Sequence, residues 1–135
     1  MGLVSSFRKY PRKLLAWTGV SLLIMLVLAI LPRALAFDSV AALLSVIAAI
    51  YIGFALQDGR TEVLITEVAV AAVFVGLALA GLWVSPYLWV AGLFLHGVWD
   101  WQHHPGGVQT AMPAWYPPIC VVVDWLLAGF LLIWL

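Results

Sequence analysis

The sequence contains apolar runs long enough to cross a lipid bilayer, and this feature limits the possible folds more than any other. The first run, Leu14–Leu31, carries no charged residue. Backbone N–H and C=O groups have no water to bind in hydrocarbon, so a run of about 20 apolar residues predicts a membrane-spanning helix. The chain is 66% hydrophobic and 9% charged, with a mean hydropathy of +1.14. A water-soluble fold could not bury that much apolar surface.

Turn and cap residues divide the chain into about five such helices within a single domain, residues 1–135. Asp38 or Ser39 is expected to cap the second helix, and Pro117-Pro118 to open the last one. The predicted fold is therefore all-α, an integral membrane bundle of the multi-pass type in the cell membrane. Its helices are predicted at residues 14–31, 40–56, 62–84, 87–101 and 118–135.

The basic residues indicate how this bundle is oriented. In the five-helix topology only Arg33 falls on one side of the membrane, and the other side carries Arg8, Lys9, Arg12, Lys13 and Arg60. An excess of Lys and Arg marks the cytoplasmic face, so the amino terminus is predicted to be cytoplasmic. The formal net charge is zero and the only basic cluster is short, so no nucleic-acid partner is expected. The expected partners are the bilayer and a lipid or other hydrophobic small molecule. The chain could also form a homo-oligomer.

Ionisable residues converge on the cytoplasmic side of the predicted bundle. Charged or titratable side chains inside a bilayer are costly and commonly functional. On the fourth helix, at about 100° per residue, His96, Asp100 and His103 share one face and His104 lies at the edge of that face. The residues concerned are His96, Asp100, His103 and His104 on the fourth helix, Glu67 on the third and Asp124 on the fifth.

This pattern predicts a metal site. Imidazole and carboxylate groups are ligands for zinc or iron, and spacing of four residues on a helix brings two of them to one ion. The predicted metal ligands are His96, Asp100, His103 and His104. Glu67 and Asp124 are the candidate catalytic residues, as general bases, and Glu67 could also orient a ligand. Cys120, four residues before Asp124, could face the same centre.

Three segments carry a resemblance to a known family. They are Tyr51–Arg60, the run His96-Gly97-Val98-Trp99-Asp100 with His103-His104, and Pro113-Ala114-Trp115-Tyr116-Pro117-Pro118. With these segments the chain resembles an uncharacterised family of small multi-pass membrane proteins from bacteria and fungi, a domain of unknown function. The resemblance covers roughly Tyr51 to Trp125 and implies no activity, because none is established for the group.

A more fragmentary resemblance links the polar residues to intramembrane zinc hydrolases of the alkaline ceramidase and adiponectin receptor type. Those proteins also gather histidines and aspartate near the cytoplasmic side, but they have seven spans and a histidine pair on the last helix. Here the last helix has no histidine. Membrane di-iron hydroxylases and desaturases need many more histidines than the 3 in this chain.

Three functions are consistent with the pattern. The first is a metal-dependent enzyme that hydrolyses a lipid ester or amide within the membrane. The second is a module that binds a lipid, a pigment or a haem, with His96 as a possible axial ligand. The third is a small proton-linked transporter or channel, since acids and histidines at middle depth also form proton relays.

Overall fold

The computed structural model describes residues 3–103 and 108–135 of the chain. Within these residues it is all-helical, and the prediction of a helical bundle is confirmed. The described part contains six helices: α1 (Leu3–Lys9), α2 (Pro11–Ile30), α3 (Arg33–Asp58), α4 (Thr61–Trp83), α5 (Tyr87–Gln102) and α6 (Tyr116–Trp134).

Four of the described helices are long and apolar enough to cross a membrane. They are α2, α3, α4 and α6, with 20, 26, 23 and 19 residues. Helix α5 has 16 residues, so its length of about 24 Å is less than the roughly 30 Å of a bilayer's hydrocarbon core. The fourth predicted span is thus a helix shorter than a standard span.

The predicted and observed helix bounds differ most at the second span. Helix α3 begins at Arg33, directly after Pro32, rather than near residue 40. Proline cannot donate the hydrogen bond that a helix interior requires, but it fits immediately before the first turn. Ser39, expected as a cap, lies inside the helix, where its hydroxyl donates to the Leu35 carbonyl at 2.7 Å. The short helix α1 was not predicted.

The helices alternate in direction and pack mainly with neighbours along the chain. Helix α3 packs on α4, α5 lies against α4, α6 and α3, and α2 contacts chiefly α6. The ends of α3 and α5 therefore lie on the same side as the beginnings of α2, α4 and α6. The opposite half of the bundle holds an apolar core, which includes Ala36, Val40, Leu44, Ala78, Trp89, Leu93, Leu127 and Leu131.

Trp89 is the largest side chain of that core, and a glycine makes room for it. Its ring is fully buried, and Nε1 donates to the Ala78 carbonyl at 2.9 Å. A Cβ atom at Gly81 would lie 2.0 Å from that Nε1. The close contact between α4 and α5 therefore requires a residue without a side chain at position 81.

We expect Gly81→Ala to lower the free energy of unfolding by about 1–3 kcal/mol, because the added methyl group must displace the buried Trp89 ring. Thermal unfolding in detergent, followed by circular dichroism, measures this change. Gly76→Ala is the matched control, since it lies on the same helix and its Cβ would meet nothing within 4 Å. Alanine is the better helix former, so the control should be neutral or slightly stabilising. Equal stability of the two variants would contradict the packing argument.

Candidate metal centre

The polar half of the bundle contains two separate clusters of buried ionisable side chains. Both lie on the side where α3 and α5 end. The first, the His96 cluster, consists of Tyr51, His96, Asp100 and Asp124. The second, the Glu67 cluster, consists of Glu67, Trp99, His103 and Thr110.

The His96 cluster joins three helices at one point. Nδ1 of His96 lies 2.7 Å from Oδ2 of Asp124 and 3.6 Å from Oδ2 of Asp100. The Tyr51 hydroxyl donates to Oδ1 of Asp100 at 2.5 Å. All four residues are at most 2% exposed. Tyr51, His96 and Asp124 are about 9 to 12 Å along their helices from the end nearest the polar loops, whereas Asp100 is about 3 Å from the end of α5.

One atom of this cluster has no hydrogen-bond partner. Oδ2 of Asp100 is buried, and it is the only buried side-chain nitrogen or oxygen in the described part of the chain for which no partner is found. A buried carboxylate oxygen without a hydrogen bond is expensive, because it has lost its water and here has only the 3.6 Å contact with Nδ1 of His96. The atom points to a cation or proton that would satisfy it.

Close packing of α5 on α6 is what lets His96 reach Asp124. Gly97, the residue after His96, leaves space for Trp125, whose Nε1 would lie 2.5 Å from a Cβ at that position. Nε1 of Trp125 donates to the Phe94 carbonyl at 3.2 Å, which ties the two helices together beside the cluster. The Trp125 ring also stacks on Phe94, with ring centroids 5.7 Å apart.

The Glu67 cluster, in contrast, is fully hydrogen-bonded. Oε1 of Glu67 lies 2.6 Å from Nε2 of His103 and accepts the Thr110 hydroxyl at 2.5 Å. Its Oε2 accepts Nε1–H of Trp99 at 3.2 Å. Nδ1–H of His103 donates to the Trp99 carbonyl at 2.9 Å. With both oxygens of Glu67 and both nitrogens of His103 engaged, this cluster fastens the segment that precedes α6 to α4 and α5.

A surface ion pair holds the same segment from outside. Asp58 pairs with Arg60 at 2.6 Å and accepts the Ala111 amide at 2.7 Å, and Arg60 donates to the Gln109 carbonyl. The hydrogen bond to the Asp58 carboxylate raises the pKa of Arg60. The short turn between α3 and α4 thus binds residues 109–111.

The structure divides the predicted site residues between the two clusters. His96 and Asp100 lie with Asp124, whereas His103 turns to Glu67, so the predicted stripe on α5 does not converge on one point. Neither Glu67 nor His103 belongs to the group of His, Cys, Asp and Glu residues with mutually close ligand atoms. His104 lies outside the described residues.

Three participants were not predicted: Tyr51, Thr110 and Trp99. Tyr51 carries a hydroxyl group inside an apolar helix, about 10 Å before that helix ends, which matches the depth of His96. That coincidence was available in the sequence. No sequence signal identifies Thr110, since it lies in a connection whose path depends on the fold.

The group His96, Asp100 and Asp124 could hold a metal ion. One ligand atom from each residue lies within 4.8 Å of the other two. Ligands at 2.0–2.1 Å from a tetrahedral ion are about 3.3 Å apart, which is between the two measured distances from His96 Nδ1. One nitrogen and two carboxylate groups form a donor set for a first-row divalent ion. A fourth position would remain for water or substrate.

An apolar cavity of about 90 Å³ adjoins this group. His96, Asp124 and Tyr51 line this cavity, and so does Cys120, which is four residues before Asp124 on α6. The remaining walls are almost entirely apolar, and they consist of Trp17 from α2, Ile47 and Ile50 from α3, Trp115, and Tyr116, Ile119 and Val123 from α6. A site with these walls favours a hydrophobic ligand over a soluble polar one.

No protein-family model, curated protein or solved structure matches this chain. The resemblance to the uncharacterised family of membrane proteins therefore stays a prediction.

We expect Thr110→Val to loosen the segment before α6. The substitution removes a hydroxyl that donates to a buried carboxylate, a loss of about 1.5–3 kcal/mol, while the shape of the side chain is kept. Hydrogen exchange measured by mass spectrometry should show lower protection in residues 108–116. Thr66→Val is the control, because the Thr66 hydroxyl is exposed and bonds only within its own helix. Unchanged protection in the Thr110 variant would show that the Glu67 cluster does not hold this segment.

Proposed function

We propose that this chain is a multi-pass protein of the cell membrane that binds one zinc or iron ion at His96, Asp100 and Asp124, and uses it to hydrolyse an ester or amide bond of a lipid. The amino terminus is on the cytoplasmic side in this proposal. It is supported by four apolar helices of spanning length and by the basic residues at positions 8–13 on the side where α2 begins.

The observation that carries the proposal is the unpartnered Oδ2 of Asp100 next to a second buried aspartate. Asp100 and Asp124 would together carry two negative charges in an apolar bundle, and a neutral imidazole does not balance them. Burying uncompensated charge is strongly unfavourable. A divalent cation would neutralise both carboxylates and satisfy the free oxygen at once.

The residues of the cluster have distinct roles in this proposal. His96 and Asp100, four residues apart on α5, would hold the ion from one side, and Asp124 from the other. Tyr51 would orient Asp100 through its hydrogen bond and is therefore a positioning residue. The ion would supply a Lewis acid that makes a bound water acidic near neutral pH.

Asp124 is the carboxylate that lines the cavity, and its oxygen that does not bind the ion would accept a proton from water that attacks a substrate there. The oxygen of that water forms a bond to the acyl carbon, and the bond from this carbon to the alcohol oxygen or amine nitrogen breaks. The proton then passes from Asp124 to the leaving group. Glu67, the other predicted catalytic residue, has no part in this scheme because both of its oxygens accept hydrogen bonds in its own cluster.

A proton could neutralise the His96 cluster instead of a metal ion, and this is the basis of the alternative function, proton-linked transport. Asp100 and Asp124 would then share a proton beside a charged imidazole. The Glu67 cluster is the nearest source of a relay, but the Tyr51 ring packs on His103 with centroids 4.4 Å apart and makes no hydrogen bond to it. We favour the metal-dependent function because, within residues 3–103 and 108–135, the hydrogen bonds of the two clusters do not join into one path.

Detergent-purified protein is expected to contain about one zinc or iron ion per chain when its metal content is measured by plasma mass spectrometry. Asp100→Asn, Asp124→Asn and His96→Gln should lose the ion, because each removes one of three ligands. His103→Gln and Glu67→Gln should retain it, since these residues belong to the other cluster.

Size-exclusion chromatography of every variant separates loss of metal from loss of fold. Wild-type protein without metal, after expression in medium supplemented with zinc and iron, would contradict the proposal. Loss of metal in the His103 and Asp124 variants alike would contradict the assignment of ligands.

Metal-loaded protein in mixed micelles is expected to release fatty acid from phospholipid. In water enriched in oxygen-18, one heavy oxygen should enter each released carboxylate, because hydrolysis joins the oxygen of water to the acyl carbon. Asp124→Asn should abolish the release, and His103→Gln should not. Bound metal without turnover of any lipid ester or amide would leave a lipid-binding module as the function.

A further inference from the structure

A positive charge lies beside one wall of the cavity. Nζ of Lys13 lies 4.1 Å from the ring centroid of Trp115, and Trp115 lines the cavity. Trp17, another lining residue, is one helical turn after Lys13 and so lies on the same face of α2. An ammonium group above an aromatic ring keeps N–H bonds that can bind an anion.

This positive charge has no acidic counterpart nearby. Four of the 6 Lys and Arg residues of the chain lie between positions 8 and 13, and the first acidic residue of the sequence is Asp38. In the described part of the chain, the Lys and Arg side chains form one ion pair with a carboxylate, between Arg60 and Asp58. Lys13 is exposed and free to pair with a negatively charged ligand.

We infer that the cavity binds an anionic lipid, with its headgroup at Lys13 and its acyl portion between Trp17, Ile47 and Ile50. The inference rests on the proposed function, because it names the substrate class of the same site. The apolar walls fit an acyl chain and disfavour a free soluble anion. A volume of about 90 Å³ holds a segment of one chain, so the rest of the lipid would stay in the bilayer.

The positions of Lys13 and of the His96 cluster indicate how the bound lipid would be oriented. Trp115 directly precedes α6, and Asp124 lies eight residues after the first residue of that helix, about 12 Å along it. A lipid whose headgroup is at the membrane surface therefore extends its uncharged part toward His96 and Asp124. The reacting bond would be on the apolar side of the headgroup.

The test compares binding of phosphatidylglycerol and phosphatidylcholine with identical acyl chains to the full chain in neutral detergent, by native mass spectrometry. Phosphatidylglycerol should bind more tightly, and Lys13→Gln should reduce its binding about fivefold. Lys9→Gln is the matched control, with the same change of charge four residues earlier, at the end of α1, and an ammonium over Tyr10 instead of a cavity residue. The control should change binding less than twofold.

Cys120 reports whether the lipid enters the cavity. It is the single cysteine of the chain and lines this cavity. Phosphatidylglycerol at the concentration that half-saturates the wild type should about halve the rate at which a small methanethiosulfonate reagent modifies this thiol, and in Lys13→Gln at the same lipid concentration most of this protection should be lost. Protection retained in Lys13→Gln would overturn the role of Lys13.

Equal binding of the two lipids, or equal effects of the Lys9 and Lys13 variants, would overturn the inference, since general surface charge would then explain the binding. These measurements need no metal, so the two proposals can fail separately. Preference for phosphatidylglycerol that depends on Lys13, in a protein that takes up no metal from medium supplemented with zinc and iron, would support the lipid site and contradict the metal-dependent function. Hydrolysis of neutral lipids, with no preference for anionic ones, would support the metal-dependent function and contradict the lipid site.

Discussion

Asp100 and Asp124 meet in the interior of an otherwise apolar bundle, and the surrounding structure follows from the need to balance them. Neither carboxylate could stay there without a cation, a proton or hydrogen-bond donors. Tyr51 from α3 and His96 from α5 supply the donors, which is why three helices converge at this depth. Gly97 allows α5 and α6 to approach closely enough for the contact between His96 and Asp124. One oxygen of Asp100 is still left without a partner.

The two polar clusters differ in a way that separates structure from chemistry. Glu67 accepts hydrogen bonds from three side chains, so its cluster gains little from any further ligand. Buried networks that are fully satisfied make a fold rigid, whereas partly satisfied ones are costly unless something completes them. The His96 cluster is incomplete and adjoins a cavity, and the Glu67 cluster is complete and lies against the connecting segment. The incomplete cluster is therefore the one expected to bind and react.

The sequence is sufficient to predict the helical bundle, because long apolar runs have few other structures available in a bilayer. It also predicts that His96 and Asp124 lie at a similar depth, since depth follows from the distance of each residue to a helix end. It does not predict how each helix is rotated. When every face is apolar, periodicity does not distinguish the buried face from the lipid-facing one. For this reason His103 was grouped with His96, although its ring turns to Glu67, and Tyr51 was missed although it contacts Asp100.

Helix α5 is short, and residues 109–111, which lie between α5 and α6, are held by polar contacts. The 16 residues of α5 give a length of about 24 Å, less than the roughly 30 Å of a bilayer's hydrocarbon core, so irregular backbone beside this helix at membrane depth would need polar partners within the protein. Irregular backbone is tolerated at such depth only where protein surrounds it. Thr110 is buried against Glu67, and Asp58 and Arg60 bind the backbone of the residues on either side. The Glu67 cluster, together with Asp58 and Arg60, thereby holds residues 109–111 against the bundle, and α6 begins a few residues later beside the cavity and carries Asp124 to His96.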